Sequence, residues 1–272
     1  MPAAGPGPAL VVHRPAWSFT ATLASDLGRP VVANDQTGAA RRIGSNLLLS
    51  ARHAAPAAAT TAMRQILEIA VDGRGPFQGA VAVANKQRVA HNGDVVPAAS
   101  VLIEQHVRLA GGQGFVTGLG GLATMVVALP ANITSLAILQ ARLVASIAHL
   151  HGYDLATLKV RTAVVAMLLG EDAVGEQIRG GRLPSRPLAI ATAPVFDPVI
   201  ADKVLNLVGA TMTTRLGGKH LGTTFARRIP LLGGGVGAVV DAVSTYQIGA
   251  YARDELPNRI PQIEHYRAEP LR

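Results

Sequence analysis

From Leu109 to Ala141 the chain carries no Asp, Glu, Lys or Arg. So long an uncharged run is covered, by protein or by lipid, and the rest of the fold has to be arranged around it. Pro130 lacks an N–H and crowds the preceding turn, which predicts one helix near residues 114–129 and a second near 131–150. About 16 residues at ~1.5 Å each give the first roughly 24 Å, short of a hydrocarbon core of about 30 Å. Length alone disfavours a span.

Within the first helix Gly114, Gly118, Gly121 and Met125 recur at i, i+4, i+7 and i+11. Glycine inside a helix costs about 1 kcal/mol against alanine, so three on one stripe imply that another backbone comes close. A matching stripe, Gly234, Ala238, Ala242, Thr245 and Gly249, lies on a helix expected over 231–255 behind Pro230. The two stripes predict a tight crossing. Asp241 stands in the middle of that second helix, where an unpaired charge in lipid costs ~2.5 kcal/mol or more, a further argument against spanning. In the 131–150 helix, Ile133, Leu136, Leu143, Ile147 and Leu150 form an apolar stripe, and Ser135, Arg142, Ser146 and His149 predict a wet face.

Other helices are expected over 57–71, over 77–90 with closure at His91-Asn92-Gly93, over 95–110 behind Asp94, and over 155–169 behind Asp154. Two more are expected over 198–216, behind Asp197-Pro198, and over 219–228, with a break at Gly217-Gly218. Residues 171–194, with Gly180, Gly181, Pro184, Pro187 and Pro194, read as a linker or mobile loop. Residues 1–55, rich in Pro, Gly and Ala, read as a disordered or loosely docked arm with Trp17 and Phe19 as anchors, and 257–272 as a C-terminal tail. That leaves a domain over 56–256. The chain of 272 residues is 49% hydrophobic but only 4% aromatic, an aliphatic mass that favours helices over a sandwich. The expected fold is all-α, a multi-helix bundle with two glycine-rich helices packed closely at its centre.

The formal charge of +8 points to an anionic partner. Lys and Arg are scattered, paired only at Arg41-Arg42 and Arg227-Arg228, so an anionic membrane surface is preferred and no nucleic acid is expected. No cysteine is present, and the first residues lack the basic and apolar regions of a signal peptide, so a cytoplasmic location is expected. The segments 118–123 and 233–238 fit the letters G-x-G-x-x-A, but no strand precedes either and no acid follows at the ribose-binding spacing; no cofactor is expected. His149 and His151 point to different sides of a helix and predict no metal site. The polar residues of interest are Asp241, Thr245, Tyr153, Asp154 and Arg142. Asp154 is read as a helix cap. Asp241 is read as accepting from Ser, Thr or backbone donors at the crossing, or else as pairing with Arg142 or a threonine in a cleft.

The order of Gly114-Phe115-x-Thr117-Gly118-Leu119-Gly120-Gly121, Leu129-Pro130, Ile147-Ala148-x-x-x-Gly152-Tyr153-Asp154, and Pro230-x-x-Gly233 to Gly237 with Asp241, Thr245, Ile248-Gly249 and Ala252 resembles the EcsC family over roughly residues 60–256. The resemblance implies a mostly helical bacterial domain, named for a protein encoded beside an ABC transporter, without an established activity or catalytic residues to carry over. Relatives place an acid beside the hairpin proline; here Ala128, Leu129, Ala131 and Asn132 surround Pro130, so that acid's role is absent or altered. The resulting expectation is a non-enzymatic, membrane-peripheral protein at the inner face of the membrane, meeting anionic lipid or an integral-membrane partner. A soluble self-associating or partner-binding module, including a homo-oligomer, is the alternative, and an enzyme with a site near Asp241 and Tyr153 is a third reading.

Overall fold

A computed structural model describes residues 56–75, 78–119, 121–222 and 230–260, with side chains for 60–75, 78–116, 134–212, 235 and 237–260. The chain divides into two units, Met1–Ala33 and Asn34–Arg272, and all described residues belong to the second. The expected arm over 1–55, with Trp17 and Phe19, lies outside them. The described helices are α1 (Pro56–Asp72), α2 (Ala80–Ala90), α3 (Val95–Leu119), α4 (Gly121–Leu150), α5 (Leu158–Met167), α6 (Glu171–Arg179), α7 (Pro187–Thr192), α8 (Pro198–Gly222) and α9 (Pro230–Glu255). No strand occurs among the described residues, and the fold is an all-α multi-helix bundle.

α1 buries Met63, Ile66, Leu67 and Ala70, the i, i+3, i+4, i+7 stripe of an amphipathic helix. Gly79 then passes so close to the end of α1 that a Cβ there would lie 2.4 Å from the Val71 carbonyl oxygen. That contact holds Gly79 outside the helix, and α2 opens at Ala80 rather than at Phe77. α2 closes through Asn92 (φ 52) and Gly93 (φ 86), with the Gly93 N–H donating to Arg88 O at 2.8 Å. Asp94 Oδ1 accepts from the Val96 N–H at 3.1 Å and starts α3.

The central hairpin differs from expectation in two ways. α3 does not stop at Ala110 but continues through Gly111, Gly112 and Gly114 to Leu119, and α4 includes Pro130. Leu119 is the last residue of α3 and Gly121 the first of α4, so Gly121 stands on a different helix from Gly114 and Gly118. Proline in a helix interior costs about 3 kcal/mol, but α1, α2, α3, α5 and α9 all pack on α4. Leu143, Val144, Ala145, Ile147, Ala148 and Leu150 are fully covered. At roughly 1.5–3 kcal/mol for each large aliphatic side chain buried, that packing outweighs one proline.

Further along, Asp154 Oδ1 accepts from the Ala156 N–H at 2.9 Å and the Thr157 hydroxyl donates to Asp154 O at 2.8 Å. Asp154 thus shapes the turn before α5, which opens at Leu158, and does not cap the helix itself. Residues 171–194 are not a loop. They hold α6, with Glu171 and Asp172 in its first turn and Arg179 in its last as the helix dipole favours, and α7, opened by Pro187. α8 begins as expected, Asp197 Oδ1 accepting from the Val199 N–H at 2.9 Å, and runs through Gly217-Gly218 without the predicted interruption.

α3 runs antiparallel to both α4 and α9, which are therefore parallel to each other. Gly114 stands opposite Gly237 and Ile103 opposite Gly249; Gln140 on α4 stands opposite Ser244 and Thr245 on α9, and His151 opposite Leu256. The chain beyond α9 also belongs to the domain. The Arg259 N–H donates to His151 O at 2.9 Å, the Tyr153 hydroxyl to Pro257 O at 3.3 Å, and the Arg259 guanidinium covers the Tyr153 ring at 5.3 Å. The described chain thus stays on this end of the bundle as far as Ile260.

Candidate functional site

The α3–α9 pair crosses where both helices lack side chains. A Cβ on Gly114 would lie 2.6 Å from the Gly237 carbonyl oxygen and 2.7 Å from Asp241 Oδ2, and a Cβ on Gly237 would lie 2.9 Å from the Gly114 oxygen. Gly111 meets Ala242 and Ala238 at ordinary contact distances, and Gly249 receives Leu143 and Ile103. The described α9 glycine at the contact is thus Gly237, one helical turn from Gly234. The surroundings of Gly118, Gly121 and Gly234 lie outside the described side chains.

The face of α4 expected to be wet is half-buried at Ser135, Arg142 and His149 and fully covered only at Ser146, and each polar group on it has a partner. Ser146, with no exposure, donates to Ala80 O at 3.1 Å, and His149 Nε2 pairs with Asn85 Oδ1 at 3.2 Å. Gln113 donates to Ser135 across the α3–α4 seam, and one heptad away on both helices Arg142 Nε–H donates to His106 Nε2 at 3.4 Å. His106 is 2% exposed, and its Nδ1 lies 2.8 Å from Leu102 O. A carbonyl oxygen only accepts, so the proton is on Nδ1 and the Nε2 lone pair faces Arg142. Burial first, then the Arg142 charge, lowers the His106 pKa from 6.5 to about 4, against the opposing hydrogen bond to Leu102. Burial also lowers the pKa of Arg142. Its described partner is this imidazole; pairing with Asp241 was the second of the two readings given for that acid. The Asp241 carboxylate lies against Gly114, and Ser244 donates to the Asp241 backbone oxygen at 3.1 Å. Thr245, fully buried, accepts from Gln140 Nε2 at 3.2 Å.

At the opposite end of the bundle a cavity of about 260 Å³ is lined by Arg88, His149, Gly152, Tyr153, Asp154 and Ile260. Arg88 Nη2 donates to the last carbonyls of α4, His149 O and Leu150 O, both at 3.1 Å, while its buried Nε–H has no partner among the described residues. The carbonyl end of the helix dipole and Asp154 share this cavity, so its field does not select an anion. Nearby, Glu255, 4% exposed, accepts from the Leu188 N–H at 3.1 Å and from Arg186 Nε at 3.2 Å. Burial, then the Glu255 charge, raises the pKa of Tyr251. Among the described residues no group of three or more His, Asp or Glu could hold a metal ion.

His106, Gln140, Arg88 and Glu255 were not singled out from sequence. The heptad spacing of His106 to Gln113 on one helix and Ser135 to Arg142 on the next was the available signal.

On the outside of α9, Val239, Val243 and Tyr246 follow i, i+4, i+7 with 56%, 48% and 45% exposure, and Val240 stands beside them. Leu109 and Val116 are exposed one heptad apart on α3. No helix among the described residues is long and apolar enough to cross a membrane. No family model, curated protein or solved structure matches the chain.

Proposed function

We propose that this chain is a non-enzymatic, membrane-peripheral helical protein of the EcsC type, acting at the inner face of a membrane on anionic lipid. The order of the glycine elements and the Gly152-Tyr153-Asp154 segment supports the family reading. The observation that carries the membrane reading is the exposed apolar stripe on α9, beside the glycine crossing, joined to sequence of matching charge. Residues 203–240, leading through α8 into that stripe, hold Lys203, Arg215, Lys219, Arg227 and Arg228 and no Asp or Glu. The uncharged 109–141 run turns from α3 into α4 beyond Gly114, at the same end as the start of α9. An exposed apolar stripe joined in sequence to a stretch whose only charges are positive is the chemistry of an anionic bilayer surface.

Flotation of the full chain with vesicles containing phosphatidylserine tests this. Low salt should carry the protein up with the vesicles, and high salt or uncharged vesicles should reduce the floated fraction. A chain that stays at the bottom at low salt, at pH 7.5 and pH 5 alike, overturns the reading. If light scattering also finds a defined oligomer, the α9 stripe belongs to a second copy.

A further inference from the structure

Building on the membrane reading, we propose that the buried His106–Arg142 contact is an acid-sensitive latch on the α3–α4 hairpin. Its protonation lets the seam between α3 and α4 open and turn its uncharged stretch toward lipid.

The geometry gives a single way for the imidazole to gain a proton. Nδ1 already donates to Leu102 O, so a second proton enters at Nε2, where the Arg142 Nε–H now points at 3.4 Å. Two donors and two positive charges would then face each other inside the seam. From Gln105 to Tyr153 neither helix carries an Asp or Glu to compensate. The other elements packed on α3 offer no nearer relief. On α9 the acid is Asp241, against Gly114 about two turns further along α3. α2 presents Gln87 to Gln105, with Lys86 exposed and Arg88 turned to the α4 carbonyls. On α3 itself Glu104 is paired with Arg108 on the exposed side.

α3 and α4 each keep their own hold on α9, at the Gly114–Gly237 crossing and through Gln140 to Ser244 and Thr245, and the Gln113–Ser135 hydrogen bond is a second described rung on the seam itself. An opened hairpin returns His106 to its ordinary 6.5 while the closed one holds it near 4. Linkage between those values shifts the closed-to-open ratio by roughly 300-fold in full and about 30-fold by pH 5.

Vesicle flotation of the full chain at pH 7.5 and pH 5 gives the first test. The lipid concentration for half-binding should fall by up to about 30-fold on acidification, and His106→Gln, neutral at both pH values, should bind alike at both. Equal gains in wild type and His106→Gln overturn the latch, because they reflect only the growing net charge. The chain has no cysteine, so Gln113→Cys with Ser135→Cys can close the same seam with a disulfide. The oxidised form should lose the acid gain and the reduced form regain it; identical behaviour of the two overturns the latch even if His106→Gln fails to fold. If no condition gives flotation, the membrane reading falls and the latch is judged without lipid. Spin labels on the same two cysteine substitutions should then move apart at pH 5, and an unchanged separation rejects the latch itself.

Discussion

At the scale of single residues, two neighbouring glycines on α3 have opposite meanings. A Cβ on Gly114 would enter the Gly237 backbone, which cannot rotate away, whereas a Cβ on Gly112 meets nothing within 4 Å. Gly114→Ala should therefore destabilise by about 1–3 kcal/mol through overpacking, and Gly112→Ala should stabilise by up to about 1 kcal/mol through helix propensity. Urea unfolding of the two variants checks both signs. Helical spacing showed that these elements carry bare faces, because glycine and alanine at i, i+4, i+7 are visible in any helix. It could not choose between Gly234 and Gly237, since both lie near the bare face and the meeting point depends on how two helices a hundred residues apart slide on each other. His106 and Gln140 were hidden for a related reason: a polar side chain on an apolar helix looks solvated until a third helix covers it.

At the scale of elements, local signals located most helices, and the failures came where packing outweighed local preference. Pro130, Gly111-Gly112 and Gly217-Gly218 all read as breaks, yet α3, α4 and α8 run through them. α6 and α7 were invisible because helices of nine and six residues are unstable alone and borrow their stability from neighbours. For α7 the neighbours are α5, on which it packs, and Glu255 at the end of α9, whose buried carboxylate holds the Leu188 N–H and the Arg186 side chain. Glu255→Gln puts an amide donor where a carboxylate accepted. It should cost about 1–3 kcal/mol, and it should raise amide exchange first in residues 186–192, which hydrogen-exchange mass spectrometry would locate.

For the whole molecule, acid is the sensitive direction. The His106 pKa is depressed in the fold, so the unfolded chain takes up its proton first as pH falls. Its contribution is complete above 6.5 and is lost as pH drops through about 4. At about 1.4 kcal/mol per pH unit, the loss is roughly 3 kcal/mol. His149 and His151, both lowered by burial before any charge effect, act in the same sense. Denaturant midpoints should fall steadily between pH 6.5 and 4, and His106→Gln should flatten much of the slope. The connections that complete the bundle also span great lengths of chain. Gln140 reaches Thr245, and His151 reaches Leu256, each across 105 positions. On a ribosome, α4 is therefore made long before α9, and the side of α4 that faces α9 stays uncovered until residues 230–255 emerge. Contacts closed over so long a stretch of chain form late and slow the completion of the core.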